Sequence, residues 1–363
     1  MSAVQDFERA FADYVGARYA IALCNGTATL HTALVALGVK PGDRVAVPPL
    51  TMSATTIAVL HAGAVPVFVD VDPDTWLMHA GPPDVRAQMG VSLYGLHWPG
   101  TWYDYRDGKR MRGERGIIDD AAQTLAQFGY GANGGWPDFK SYSFQASKIL
   151  ALGEGGMLVT NDEELATRAR EFSSLGYRMR ADQPRIDKRV LKDPAYERHY
   201  SLGWNYRMAD AVASLGFHKL ANWDVWRDAD GRYYTVPYAD VLKSDRQKCA
   251  TFYRDAVAGC SWIKPQHVPE GWAHDYWAYA VALESDELWH PFADAIERHG
   301  GTRPFAAWRL TYQEPAFRHL AEVGCCPVAE DLQPRIVAGQ TNDLPSATRN
   351  AAAWAAAIRE LNG

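Results

Sequence analysis

Three stretches of this 363-residue chain carry side chains able to do chemistry, each at a junction where a fold can aim them. In SYSFQASKILALGEGGMLVTND, Lys148 follows an apolar run and precedes the glycine-rich group Gly153-Glu154-Gly155-Gly156. A lone lysine normally belongs on the surface. The apolar residues around it and the glycines after it imply a partly buried amine, whose pKa falls and whose neutral, nucleophilic form becomes available. In GIIDD, Asp120 closes an apolar strand at a sheet's carboxyl edge, where α/β proteins bind ligands; the alternative is an aspartate capping the next helix. Asn25-Gly26-Thr27-Ala28 joins a strand to the leucine-rich stretch from Thr27 to Leu37. That junction turns free backbone N–H groups and a positive dipole end toward an anion, with the Thr27 hydroxyl as a further donor. Thr27 also has the chemistry of an ordinary N-cap.

A nucleophilic amine, a carboxylate and an anion cradle are the protein groups that pyridoxal-phosphate (PLP) chemistry needs. The amine forms an imine, the acid faces the pyridine nitrogen, and the donors surround the phosphate. Elements able to position them are visible. Short apolar runs at Ala20 to Cys24, Arg44 to Val47, Val65 to Val69, Val91 to Tyr94, Gly116 to Ile118, Ser141 to Phe144 and Gly156 to Thr160 alternate with helical stretches. This is the pattern of a largely parallel sheet under helices. Asn161, with Glu164 three residues on, predicts an N-cap and capping-box acid. From about Asn222, Trp and Tyr become dense, a strand-like run spans His274 to Leu283, and helices are expected at Pro291 to Arg298 and Ser346 to Leu361. We read a large domain over residues 1–221 and a smaller C-terminal domain over 222–363.

Hydrophobic residues make up 47% and charged residues 22%, a soluble globular mix. A net charge of −6 gives no basic footprint for nucleic acid, and the run from Arg106 to Arg115 is diluted by Asp107 and Glu114. Five cysteines, with Cys325 beside Cys326, fit reduced thiols better than a disulfide framework, zinc spacing or a CxxC pair. No metal is expected. The amphipathic start and the lack of a long apolar run predict a cytoplasmic protein without a membrane span.

Five blocks in chain order, ALCNGTATLHTALVALGVKPGDRVAVPPLT, AVPVFVDVD, IIDDAAQT, SFQASKILALGEGGMLVTND and GWNYRM, resemble the DegT/DnrJ/StrS family of sugar and cyclitol aminotransferases. The resemblance implies an α/β protein of the type I aspartate-aminotransferase fold: a large domain with a mostly parallel mixed sheet, plus a smaller C-terminal α/β domain. It implies that Lys148 holds the cofactor as an imine and then moves the substrate proton, and that Asp120 pairs with the pyridine nitrogen. Gln123 would lie near the ring hydroxyl. Thr27, Ala28 and Ser143 would bind the phosphate beside Gly26, and Asn205 would reach the phosphate held by a neighbouring subunit. That last role implies a homodimer with shared active sites.

Two positions depart from the family pattern. Where an aromatic residue usually stacks on the cofactor ring, this chain has Thr51-Met52; the Met52 thioether can touch a ring face or pack in the core. A histidine of the family is Ser92 here, in VSLYG, and receives no catalytic role. The implied function is amino transfer from glutamate or glutamine to a keto-sugar or keto-cyclitol, in specialised-metabolite or amino-sugar biosynthesis. The GEGG segment looks more like the cyclitol and aminohydroxybenzoate branches. A dehydrating, aromatising synthase of the 3-amino-5-hydroxybenzoate type uses the same residues, and a non-catalytic PLP-binding regulator is the third reading. His97, Trp98, Tyr103, His274, Trp277, Arg303, Trp308, Arg309 and Tyr312 are candidates for the substrate mouth, with packing between domains the favoured role for the tryptophans.

Overall fold

The computed structural model describes residues 2–99, 104–106, 109–111, 115–125, 127, 137–181, 189, 192–221, 223–227 and 233–362. Its centre is a seven-stranded sheet in the order Tyr19–Leu23, Gly156–Thr160, Phe139–Ser143, Gly116–Asp120, Ala87–Val91, Arg44–Val47, Val65–Phe68. Strands covered on both faces need no polar alternation, so Val45, Ala46 and Val47 are all buried. Neighbours from Phe139–Ser143 to Val65–Phe68 run parallel, whereas Gly156–Thr160 runs antiparallel to both strands beside it. The ends Leu23, Val47, Val91, Asp120 and Ser143 and the start Gly156 therefore share one edge, the edge at which such sheets bind ligands.

Helices Gly26–Ala36 and Glu163–Ser173 pack on one face through Leu30, Leu34, Leu165 and Ala169. Ala3–Val15 and Asp210–Ala221 pack on the other. There Phe11 meets Tyr142 at 5.0 Å and Phe144 at 5.4 Å between ring centres, and Phe7 lies 5.5 Å from Phe144. This aromatic cluster fixes the end of the strand that leads to Lys148.

Two local expectations change. The strand expected at Val91 to Tyr94 lies earlier, over Ala87–Val91. Gln88 obscures it in sequence but is at home there, because its Oε1 accepts the Gly81 N–H at 2.8 Å. Tyr94 cannot extend the strand, since its φ of 56° belongs to the tight turn Leu93–Gly95. At Glu163–Ser173 the N-cap is Asp162 and not Asn161: its carboxylate accepts the N–H groups of both Glu164 and Leu165 and suits the positive helix end. Asn161 instead accepts the Arg18 N–H at 2.8 Å.

A second, four-stranded antiparallel sheet has the order Ile263–Pro265, Ala278–Leu283, Ile336–Gln340, Phe305–Ala306. Helices Tyr238–Val257, Trp289–Arg298 and Leu344–Leu361 cover it around Tyr253, Phe292 and Trp354. Its long strand begins at Ala278, later than His274, because the preceding residues join the two sheets. Asp275 N–H donates to the Gly95 carbonyl, Asp275 Oδ2 accepts the Leu125 N–H at 2.8 Å, and His97 Nε2 lies 3.2 Å from the same carboxylate. His274 Nδ1 accepts the Tyr276 N–H at 2.9 Å, which leaves the ring proton on Nε2, facing Gln266 Oε1 at 3.3 Å.

This junction should make the protein acid-sensitive. Burial, reinforced by His97, lowers His274 to about 3, and protonation at Nδ1 would set two N–H groups against each other. Burial pushes Asp275 up, but His97, Lys243 and the Leu125 N–H outweigh it and hold the carboxyl at about 2. His274 starts to oppose folding as pH falls through its unfolded value near 6.5, while the Asp275 contribution is lost only below about 4. Stability should therefore fall by up to about 1.4 kcal/mol per pH unit per such histidine between about pH 6.5 and 4. His274→Asn, which keeps an acceptor near Nδ1, should flatten that slope in urea unfolding at stepped pH. An unchanged slope would remove His274 from the account.

Among the described residues, no helix is long and apolar enough to cross a membrane. All five cysteines are free.

Candidate active site

Lys148 sits on a loop closed by its own backbone. Phe144 N–H donates to the Gly155 carbonyl at 2.9 Å, Leu152 N–H to the Phe144 carbonyl at 2.8 Å, and Ala146 N–H to the Gly153 carbonyl at 3.0 Å. With Phe144 anchored in the aromatic core, the loop brings Lys148 to a cavity of about 580 Å³ at the sheet edge. Asp120, Gln123, Ser143, Gly26, Thr27 and Met52 line the same cavity. Residues distant in sequence thus converge because their strands end side by side.

Asp119 and Asp120 are adjacent acids with different surroundings, since successive strand residues face opposite ways. Asp119 pairs with buried Lys140 at 3.1 Å and accepts the Ser92 hydroxyl at 2.9 Å. Ser92 therefore braces the sheet and does not line the cavity. Asp120 faces the cavity, accepting the Thr55 hydroxyl at 2.8 Å on Oδ2 and the Ala122 N–H at 3.2 Å on Oδ1. Burial raises its carboxyl above the usual range, against the pull of those donors and of Lys148. Burial lowers the Lys148 amine, and Asp120 opposes that shift. Each group is thus the other's main counter-charge in a poorly solvated site. Lys148 Nζ also stands 4.9 Å above the centre of the Trp277 ring, whose Nε1 donates to the Ser147 carbonyl at 2.9 Å.

At the other end, Asn25 caps Gly26–Ala36 by accepting the Ala28 N–H at 2.8 Å. Ala28 therefore has its amide engaged and does not line the cavity, whereas Gly26 and Thr27 do. Two glycines permit this close seating. A Cβ on Gly156 would lie 2.6 Å from the Asn25 carbonyl oxygen, and one on Gly26 would lie 2.9 Å from Ser143 Cβ. Gly26→Ala should push Ser143 aside at a strain of about 1–3 kcal/mol, weakening cofactor binding roughly tenfold or more. Titration of the apoprotein with pyridoxal phosphate measures this, and unchanged affinity would contradict the cradle.

Gln123 Oε1 accepts the Tyr94 N–H at 2.6 Å, so the NH₂ is the part of its amide left for the cavity. Met52 is 49% exposed, so the core alternative does not apply; its sulfur accepts the Ala54 N–H at 3.1 Å. Asn205 is exposed, bridges to Ser174 and is not among the cavity residues. Of the mouth candidates, Trp277 and Trp308 border the cavity, more than the packing role expected of them. His97, Trp98, His274 and Tyr312 are buried elsewhere, and Arg303 pairs with Asp294 and Glu297. Tyr103 and part of the Arg106 to Arg115 run lie outside the described residues. Sequence reading missed Thr55; its only signal was a threonine in the first turn of Ala54–His61, after the Val47 strand end.

A half-buried lysine and a buried aspartate in one cavity, with an amide and a glycine-relieved cradle beside them, fit pyridoxal phosphate: amine, acid for the ring nitrogen, and donors for the anion. Fold and site together define a PLP-dependent transferase of the type I aspartate-aminotransferase fold. The sequence matches the DegT/DnrJ/EryC1/StrS aminotransferase family over residues 2–344, and the chain belongs to that family. It is 34% identical over 290 residues to a GDP-perosamine synthase of Caulobacter vibrioides, covering 77% of this chain and 69% of that protein. It is 30% identical over 346 residues to a GDP-perosamine synthase of Escherichia coli O157:H7, covering 91% and 82% respectively. An aminotransferase structure from Psychrobacter cryohalolentis superposes with a TM-score of 0.78 at 24% identity, covering 99% of this chain and 92% of that one.

Proposed function

We propose that this enzyme moves an amino group from glutamate or glutamine to a ketone on a sugar, in amino-sugar or specialised-metabolite biosynthesis in the cytoplasm. The observation that carries the reading is the meeting of Lys148 and Asp120 in one cavity, at the edge where the strands Gly116–Asp120 and Phe139–Ser143 end side by side. The names of the relatives support a sugar over a cyclitol acceptor.

Bound here, pyridoxal phosphate supplies the electron sink that makes the substrate Cα proton acidic. Lys148 Nζ, whose pKa burial lowers against the pull of Asp120, would take that proton from Cα and return it two bonds away, across the imine nitrogen. Asp120, oriented by Thr55 and the Ala122 N–H, holds positive charge at the ring nitrogen. The Gln123 NH₂ meets the ring hydroxyl, and Gly26, Thr27 and Ser143 hold the phosphate, while Ala28 secures their turn through its bond to Asn25. Met52 covers a ring face. Asn205 serves the neighbouring subunit's phosphate in a homodimer. Its exposure, and that of Tyr200, Leu202 and Trp204 beside it, supports that placement. The separate sheets support a division into residues 1–221 and 222–363.

The test is a pair of half-reactions. Glutamate or glutamine should bleach the visible band of the holoprotein with stoichiometric release of a 2-oxo acid, and a keto-sugar should restore it. Growth of an ultraviolet-absorbing aromatic product without 2-oxo acid would replace this reading with a dehydrating synthase. No half-reaction with any donor would replace it with a non-catalytic binder.

A further inference from the structure

The segment that joins the two sheets is held more tightly than a connection requires. Tyr276 has a φ of 48°, a left-handed conformation that costs a residue with a side chain free energy and persists only where its surroundings impose it. Its N–H donates to His274 Nδ1 at 2.9 Å, and its ring stacks on His274 at 3.8 Å with 13° between planes. The Thr341 hydroxyl is shared between the carbonyls of Tyr276 and Trp277. Gly95 admits this turn, since a Cβ there would lie 2.7 Å from the backbone nitrogens of both Tyr276 and Trp277.

What the strained turn aims is Trp277, the residue just before the strand Ala278–Leu283. Arg246 Nη1 donates to the Trp277 carbonyl at 3.0 Å, and Trp308 stacks on the indole at 5.8 Å with 17° between planes. The indole Nε1 donates to the Ser147 carbonyl at 2.9 Å, which ties it to the lysine loop of the other sheet. Backbone, ring and ring nitrogen are therefore each held. The ring so fixed presents its face to Lys148 Nζ at 4.9 Å from its centre. Asp120 acts on the same amine as a charge, with no hydrogen bond between the two among the described residues. Packing alone requires neither a left-handed tyrosine nor a bond to the residue beside the lysine.

We propose that Trp277 is a positioning residue for Lys148: its ring face holds the ammonium whenever the amine is not bonded to the cofactor, and its Nε1 fixes the backbone beneath it. The inference rests on the reading of Lys148 as the imine lysine and extends it to the place where the free amine is kept. An aromatic face attracts a cation within about 6 Å of its centre, more strongly where water is sparse. An ammonium held there stays near the cofactor without closing an ion pair on Asp120, whose carboxylate is then left for the ring nitrogen. Of the groups around the amine, Asp120 and the ring face favour its charged form, and burial opposes them; Glu154 is the other carboxylate lining the cavity. Loss of the ring face should therefore lower the pH at which Lys148 becomes neutral.

The experiment is competitive acylation of the full-length apoprotein with acetic anhydride at stepped pH, with labelling at Lys148 read by mass spectrometry. The midpoint of the labelling curve reports loss of the proton, whereas its plateau reports access of the reagent. Trp277→Phe and Trp277→Leu both lose the bond to Ser147 and both keep an apolar side chain, but only phenylalanine keeps a ring face. The midpoint should fall in the order wild type, Trp277→Phe, Trp277→Leu, with the last about half to one pH unit below wild type. Below the midpoint, Lys148 in Trp277→Leu should then label about three- to tenfold faster relative to its plateau. Lys248, exposed on the helix Tyr238–Val257, should keep its midpoint in all three proteins. If Trp277→Leu fails to fold, the fall from wild type to Trp277→Phe carries the test. Equal midpoints at Lys148, or a higher one in Trp277→Leu, would overturn the proposal and leave Trp277 as packing that keeps water out. Borohydride reduction of the holoprotein that fixes the cofactor on another lysine, with the order of midpoints kept, would sink the reading of Lys148 as the imine lysine while leaving the hold of Trp277 on its ammonium standing.

Discussion

Lys148→Ala should cut turnover by at least about 10⁴-fold, because it removes in one step the amine that takes the cofactor and the base that moves the substrate proton. The magnitude follows from the absence of a substitute: among the residues lining the cavity, Lys148 is the one lysine, and no histidine joins it. Lys140, the nearest in sequence, is buried against Asp119 on the other side of the strand. Lys148→Met keeps the apolar stem and should still fold and hold cofactor through the phosphate end, without the visible band of the parent. Stopped turnover with retained cofactor separates this result from misfolding. Residual activity above about one percent of wild type would mean that another base serves the site.

Asp120→Asn should cost about 10²- to 10³-fold in kcat, the range expected when a preorganised charge facing a developing charge is made neutral. The substitution keeps the shape, and Thr55 and the Ala122 N–H can still meet the side chain, so folding should survive. It has a second consequence. The Asp120 carboxylate raises the Lys148 amine against the lowering effect of burial; without it, burial acts alone and the amine falls further. The pH at which apoprotein regains cofactor at half its maximal rate should therefore move down in Asp120→Asn, since the neutral amine becomes available at lower pH. An upward or absent shift would break the proposed coupling of the two groups.

Much of this site was legible in sequence because its parts are local. Lys148 was recognised by the glycines after it, Asp120 by the apolar strand before it, and the anion turn by Asn25-Gly26-Thr27. The structure adds the reason they meet, namely that parallel strands end together. What stayed hidden depended on partners remote in the chain. Nothing near Thr55 announces a hydrogen bond to a residue 65 positions away. The buried strand Ala87–Val91 was displaced in the reading because Gln88 satisfies itself with the Gly81 N–H, which no propensity reveals. Asn161 and Asp162 are both capping residues, and only the position of Arg18 decides which one caps. Trp277 and Trp308 show the same limit: indoles in a domain junction read as packing until the lysine is seen above one of them.

The most direct test of the account is to reduce the holoprotein with borohydride and map where the cofactor becomes fixed. Digestion and mass spectrometry should find the added mass on a single peptide, with the fragment series placing it at Lys148. Attachment to Lys140 or any other lysine, or the absence of any fixed cofactor in protein that binds it stoichiometrically, would contradict the claim that Lys148 is the amine around which the site is built.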